Sequence, residues 1–262
     1  MLTRFDFTRP RTIVLAAVLI GVLAGLAGAV FHTVATEPRI DEAIAIEETQ
    51  APAGGHDAGG DEALVSRRDQ KGAGLFLAYA LTGAAFGLFL AIASRSIRTT
   101  TGGPFRRVVV AGTILAGAVT VAPWLKYPPN PPAVGDPDSV GERERLYVLV
   151  IVLAALLLAG AAHLSARLRD RGWPDDRRVA AVVAAALAGF AVVFAVLPGS
   201  PDTIGVPANL VWQFRVNSLT GNLLVWTLLT LGLGVTWAEA ARRAAAAPAQ
   251  NSMPLSAEIP AS

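Results

Sequence analysis

The hydrophobic positions of this chain gather into six long stretches without a formal charge, at residues 12–36, 72–94, 108–125, 146–166, 179–201 and 216–238. A helix crossing the hydrocarbon of a bilayer takes about 20 mostly apolar residues, and each stretch is near that length or beyond it. The pattern predicts an all-α integral membrane protein with six transmembrane helices. The polar residues between the stretches divide unequally. Arg4, Arg9 and Arg11 precede the first; Arg95, Arg98, Arg106 and Arg107 lie between the second and third. Arg167, Arg169, Arg171, Arg177 and Arg178 lie between the fourth and fifth, and Arg242 and Arg243 follow the last. Arg and Lys mark the cytoplasmic flanks of membrane helices, so the N-terminus and the C-terminus are both expected in the cytoplasm. On that assignment the inner side holds 14 of the 22 Lys and Arg and 6 of the 20 Asp and Glu, leaving +8 inside and −6 outside.

The first stretch follows basic residues, as the core of a secretory signal does. Its apolar run exceeds the roughly 7–15 residues of such a core and no clean A-x-A site closes it, so a retained helix is expected. The expected organisation is a cytoplasmic N-terminus over 1–11, one membrane domain over 12–240 and a disordered cytoplasmic tail over 241–262. Three segments then face outward. The first, 37–71, is acidic and Gly-rich and reads as mostly flexible. The third, 202–215, suits a short interfacial helix after Pro207, with Trp212 and Phe214 at headgroup level.

The second outward segment lies in "WLKYPPNPPAVGDPDSVGERERLY", residues 124–147. Pro128, Pro129, Pro131 and Pro132 lack an N–H and hold φ near −65°, and the residues before a proline are pushed extended. Such backbone needs water and cannot lie in lipid. The expectation is a stiff Pro-rich extracytoplasmic loop feeding the fourth helix. Ser139 and Glu142 have capping-box spacing, and Asp136 and Asp138 suit the positive end of the helix dipole. A second reading makes Asp136, Asp138 and Glu142 an external acidic mouth that concentrates cations.

Composition narrows the chemistry. The chain is 53% hydrophobic and 16% charged, against about 25% charged in soluble domains. It has no Cys, which removes disulfides, zinc–thiolate sites and a catalytic thiol. Arg outnumbers Lys 20 to 2, a compositional habit and not a nucleic-acid footprint. No P-loop, G-x-S-x-G, H-E-x-x-H or dinucleotide-binding glycine pattern occurs, so no enzyme activity is expected. Histidine and carboxylates are the ligands a borderline divalent ion takes. The candidate metal ligands are His32, Glu37, Glu47, Glu48, His56 and Asp57, all toward the outer side. The plainer reading is a solvated acidic loop with an incidental histidine; His163, at the inner end of the fourth stretch, reads as interfacial. Asn217, Ser218 and Asn222 make the sixth stretch the most polar, and they either line a path or hydrogen-bond a neighbouring helix. Gly21–Gly25 and Gly83–Gly87 have the G-x-x-x-G spacing of close helix packing.

Three passages carry a resemblance: "EPRIDEAIAIEE" after the first stretch, "LKYPPNPPAVGDPDSVGER" before the fourth, and "VPANLVWQFRVNSLTGNLLVW" leading into the last. Together they resemble the CbtA family of predicted cobalt transporter subunits, over most of the chain. The resemblance implies a membrane subunit of divalent metal uptake, cobalt above all, tied to cobalamin synthesis. It implies a small single-helix partner with a His-rich end, CbtB, and cobalt as the transported ion with no bound cofactor. Glu47 and Glu48 match the family's motif after helix one, and Trp212, Arg215 and Ser218 its C-terminal motif. Members commonly carry several histidines in the first outer loop, where this chain has His56–Asp57. The expected location is the cytoplasmic membrane, in lipid, with no nucleic-acid partner. The alternative is a non-transporting membrane scaffold or accessory subunit of another permease.

Overall fold

A computed structural model describes residues 10–50, 66–97, 103–132, 134–135, 139–200, 202 and 204–246. Among these the chain has no strand, and six helices are long and apolar enough to cross a membrane. In chain order the helices are α1 Pro10–Ala35, α2 Glu37–Gln50, α3 Arg67–Ser96, α4 Pro104–Lys126, α5 Val140–Asp170, α6 Asp175–Val196 and α7 Ala208–Ala246. All but α2 are the spans. The expected all-α, six-span fold is therefore the observed one.

The tightest packing is between α1 and α3, and glycine is the reason. A Cβ added at Gly21 would stand 2.7 Å from the carbonyl carbon of Gly83, and one at Gly25 would stand 2.8 Å from that of Tyr79. A Cβ at Gly87 would meet the carbonyl carbon of Ala17 at 3.0 Å. Lipid tails are as apolar as leucine, so close van der Waals approach, and not hydrophobic burial, is what joins helices here. The two G-x-x-x-G pairs thus face one another inside this chain.

α4 and α7 complete the central group. Leu90, Val108, Val225, Trp226, Leu229 and Leu233 fill its middle. The Trp226 ring stacks on Phe86 at 4.7 Å between centroids, and its indole N–H donates to Thr120 Oγ1 at 3.0 Å. Thr120 lies in a wide π turn of α4, Gly117–Val121. From that turn onward α4 faces α5, where Ala118, within the turn, and Ala122, just past it, bury against Ala154. α5 and α6 form a peripheral pair. α6 has no buried residue, and Lys126 Nζ caps its last turn, donating to the carbonyls of Phe194 at 2.9 Å and Leu197 at 2.8 Å.

Five local expectations differ from what is observed. Residues 37–50, expected as flexible loop, form α2, because Ile40, Ala43, Ile44 and Ile46 give the acidic segment an apolar side to lay on the protein. α3 begins at Arg67 and not at 72: Ser66 accepts from the Asp69 N–H at 3.2 Å and its Oγ donates to Asp69 Oδ2 at 2.7 Å, a cap in which charges belong to the first turn. The helix bends at Gly72, whose φ/ψ of −96°/−112° is non-helical. The segment after Pro207 is no separate interfacial helix but the start of α7. Finally, α7 continues to Ala246, past the expected tail boundary at 241, because its alanines favour helix and Glu239 accepts from Arg242 at 2.7 Å and Arg243 at 2.9 Å. Ser139, meanwhile, makes no side-chain cap to α5: its φ/ψ of −87°/−3° is already helical, where a cap residue needs extended backbone.

Candidate functional site

The proline-rich side of the molecule gathers the polar residues. His32 lies one turn before the end of α1, only 5% exposed. Its ring packs on Tyr79 of α3 with centroids 4.9 Å apart and meets Phe31 edge-on at 5.6 Å. Across from it α7 presents Gly221, where an added Cβ would stand 2.7 Å from His32 Cε1. Only a residue without a side chain leaves room for the imidazole there. His32 Nδ1 is 2.8 Å from Thr36 Oγ1, and Nε2 is buried without a hydrogen-bond partner. With the Nδ1 proton donated to Thr36, the Nε2 lone pair is free. A hydrogen bond on one ring nitrogen fixes the orientation of the other.

The carboxylates nearest in sequence are already engaged. Glu37, 8% exposed, forms an ion pair with Arg67. Asp41, one turn on, is 3.3 Å from Arg67 and 3.0 Å from Lys71. The hydrogen bond from Lys71, helped by the charges of Lys71 and Arg67, lowers the Asp41 carboxyl below its ordinary value. Glu47 and Glu48 are exposed on the last turns of α2. His56 and Asp57, and likewise Asp136 and Asp138, lie outside the described residues. Among the described residues no group of three His, Asp or Glu is placed to hold a metal ion.

The polar residues of α7 serve its neighbours and itself. Asn217 Nδ2 donates to the Ala35 carbonyl at 2.6 Å, satisfying an orphan acceptor at the end of α1. Asn222 Nδ2 donates to the Ser218 carbonyl at 2.9 Å, and Ser218 is half-buried. Trp212 is 60% exposed, as suits an aromatic at an interface. Arg215 instead organises the Pro-rich loop. It donates to Asn130 Oδ1 at 2.6 Å and to the Pro129 carbonyl at 3.3 Å, and its own carbonyl accepts from Trp124 Nε1 at 2.8 Å. Asn130 passes the network to Asp202 at 2.9 Å, which also pairs with Arg143 at 3.2 Å. Beside it a cleft of about 440 Å³ opens between Tyr127, Pro128, Tyr147 and Ser200. Burial, and secondarily the Glu142 carboxylate, raise the Tyr127 hydroxyl above its ordinary value. Glu142 itself is exposed.

Arg67, Tyr79, Asn130 and Asp202 hold these sites together, and sequence reasoning passed over all four. Only Asn130, set between two proline pairs, carried a local signal.

Six helices long and apolar enough to cross a bilayer, three of them closing on a buried imidazole, define a multi-pass integral membrane protein. The family model described as "Probable cobalt transporter subunit (CbtA)" matches residues 10–238, and the chain belongs to that family. It is a membrane subunit of a probable cobalt transporter. No curated protein and no solved structure matches the chain.

Proposed function

We propose that this chain carries Co²⁺ inward across the cytoplasmic membrane, with His32 as a ligand the ion visits in transit. The unpartnered Nε2 of His32 is the observation that supports this reading. A borderline divalent ion takes imidazole nitrogen readily, and a conducting site must bind weakly enough to let go. One imidazole with no group of carboxylates set around it among the described residues meets that demand, where a closed set of ligands would hold the ion.

The proline-rich side faces outward in this reading, and both termini lie in the cytoplasm. Glu37, Glu47, Glu48, His56, Asp57 and Glu142, with Asp136 and Asp138, draw cations to that face. Asn217, Ser218 and Asn222 lie beside the path on α7. The partner is a small single-helix, His-rich subunit of the CbtB kind, and the imported cobalt feeds cobalamin synthesis.

A second reading, a scaffold for another permease, draws on α6, which contributes no buried residue and packs chiefly on α5. Cobalt accumulation in cells lacking their own importers separates the two. Uptake is expected with this chain and its small partner, and a tenfold or greater loss with His32→Gln at equal membrane abundance, about 1.4 kcal/mol of lost ligation. Background uptake with both proteins in the membrane would leave the scaffold.

A further inference from the structure

Three helices enclose His32: α1, which carries it, α3 through Tyr79, and α7 through Gly221. On the proline-rich side α2 joins all three. It leaves α1 through the single turn residue Thr36. It is fastened to α3 by Arg67 on Glu37, and by Asp41 on Arg67 at 3.3 Å and on Lys71 at 3.0 Å. It meets α7 by setting Ala43, fully buried, among Leu210, Val211, Val206 and Val134. α2 thus lies as a crossbar over the proline-rich ends of the three helices that enclose Nε2.

Its fastenings are of the kind that open. The Asp41 and Lys71 side chains are 45% and 43% exposed, and the Arg67 side chain 34%. The pairs of Asp41 at that exposure hold weakly, and the firmer hold is Arg67 on Glu37, whose side chain is 11% exposed. The apolar footing is short: Ala43 is its only fully buried residue, with Ile40, Ile44 and Ile46 part-buried beside it. The turn at the other end is bonded to the imidazole itself, through Thr36 Oγ1 and His32 Nδ1 at 2.8 Å.

We propose that α2 is a lid, hinged at Thr36 and latched by Arg67 and Lys71, that lifts to admit the cation to His32. The proposal rests on the reading of His32 as a transit ligand. It adds the device that decides when the imidazole is reachable, and it ties the hinge to the ligand through one hydrogen bond.

The chain has no cysteine, so a single introduced one reports lid opening without interference. In lipid nanodiscs, Ala43→Cys is expected to react slowly with a water-soluble maleimide. Adding Arg67→Gln and Lys71→Gln, at an unchanged unfolding temperature, should speed the reaction about fivefold, the scale set by losing partly exposed ion pairs. The swap Glu37→Arg with Arg67→Glu should keep it slow. An unchanged rate in the double Gln variant overturns the latch. In cells, Ala43→Cys with Val211→Cys, bridged by a short bismaleimide, should stop cobalt uptake that the unbridged pair supports. Uptake that persists through the bridge overturns the lid. Absence of uptake before bridging overturns the transport reading instead, and the labelling arm does not depend on it.

Discussion

Gly21→Ala tests whether the α1–α3 seam is what holds the central helices. The added methyl would sit 2.7 Å from the Gly83 carbonyl carbon, where ordinary contact begins at 3.4 Å, so the backbones must part by at least the difference. A gap of about 0.5–1 Å forfeits a quarter to a half of each dispersion contact, each worth ~0.1–0.2 kcal/mol. The seam runs over Ala17, Gly21 and Gly25 against Tyr79, Gly83 and Gly87, three helical turns of backbone facing backbone. Some 30 atom pairs across it lose roughly 1–3 kcal/mol together, the range of overpacked cores. At about 2–4 °C per kcal/mol for a domain of this size, the melting temperature in detergent should fall by roughly 2–12 °C. Tryptophan emission follows this directly, because Trp226 is 2% exposed within the same core. Gly160→Ala is the control: it lies on α5 with no atom within 4 Å of an added Cβ. It should melt no lower than the parent, since alanine is the better helix former. If Gly21→Ala melts with the parent, the close approach is not what joins α1 to α3, and the reasoning fails.

The same arithmetic applies elsewhere. Gly135→Ala combines a φ of +110° with a Cβ 2.6 Å from Asp202 Oδ1, so a loss of about 1–3 kcal/mol is expected in denaturant unfolding. Asn217→Leu leaves the Ala35 carbonyl without its 2.6 Å donor and should destabilise by roughly 0.6–1.7 kcal/mol, read as a lowered melting temperature that Asn217→Gln partly restores. Asp41 adds a pH dependence. Its folded-state carboxyl is lowered by Lys71 and then Arg67, so its stabilisation is complete above the ordinary value of 3.8 and lost as pH falls through the lowered one. The melting-temperature difference between the parent and Asp41→Asn should therefore be constant at neutral pH and close only below about pH 4.

The spans were legible because lipid imposes one rule, an unbroken apolar length, and the sequence obeys it six times. What the rule hides is helix that continues into water. α2 and the first turn of α3 are rich in charge, so the search for charge-free windows passed over them, although "SRRD" carries the Ser66 cap in plain view. The glycine pairs named their own role, because spacing alone puts both on one helix face. The candidate ligands were legible as residue types only. That Glu37 meets Arg67 while His32 keeps a free nitrogen depends on how helices distant in sequence dock, and no local pattern encodes that docking. Arg215 was visible by resemblance alone; its work, holding the Pro-rich loop through Asn130, is a tertiary fact.

The π turn at Gly117–Val121 gives α4 two allegiances. A regular helix keeps one face toward one neighbour; the extra residue turns the remainder by about 100° and lets the same rod face α7 along one half and α5 along the other. Deleting a single residue there would restore regularity and rotate everything beyond it. Trp226 would lose Thr120 and Ala154 would lose Ala118 in the same stroke. The register of the peripheral pair α5–α6 against the central four helices is therefore keyed at this turn, and α4 is the shaft that carries the key.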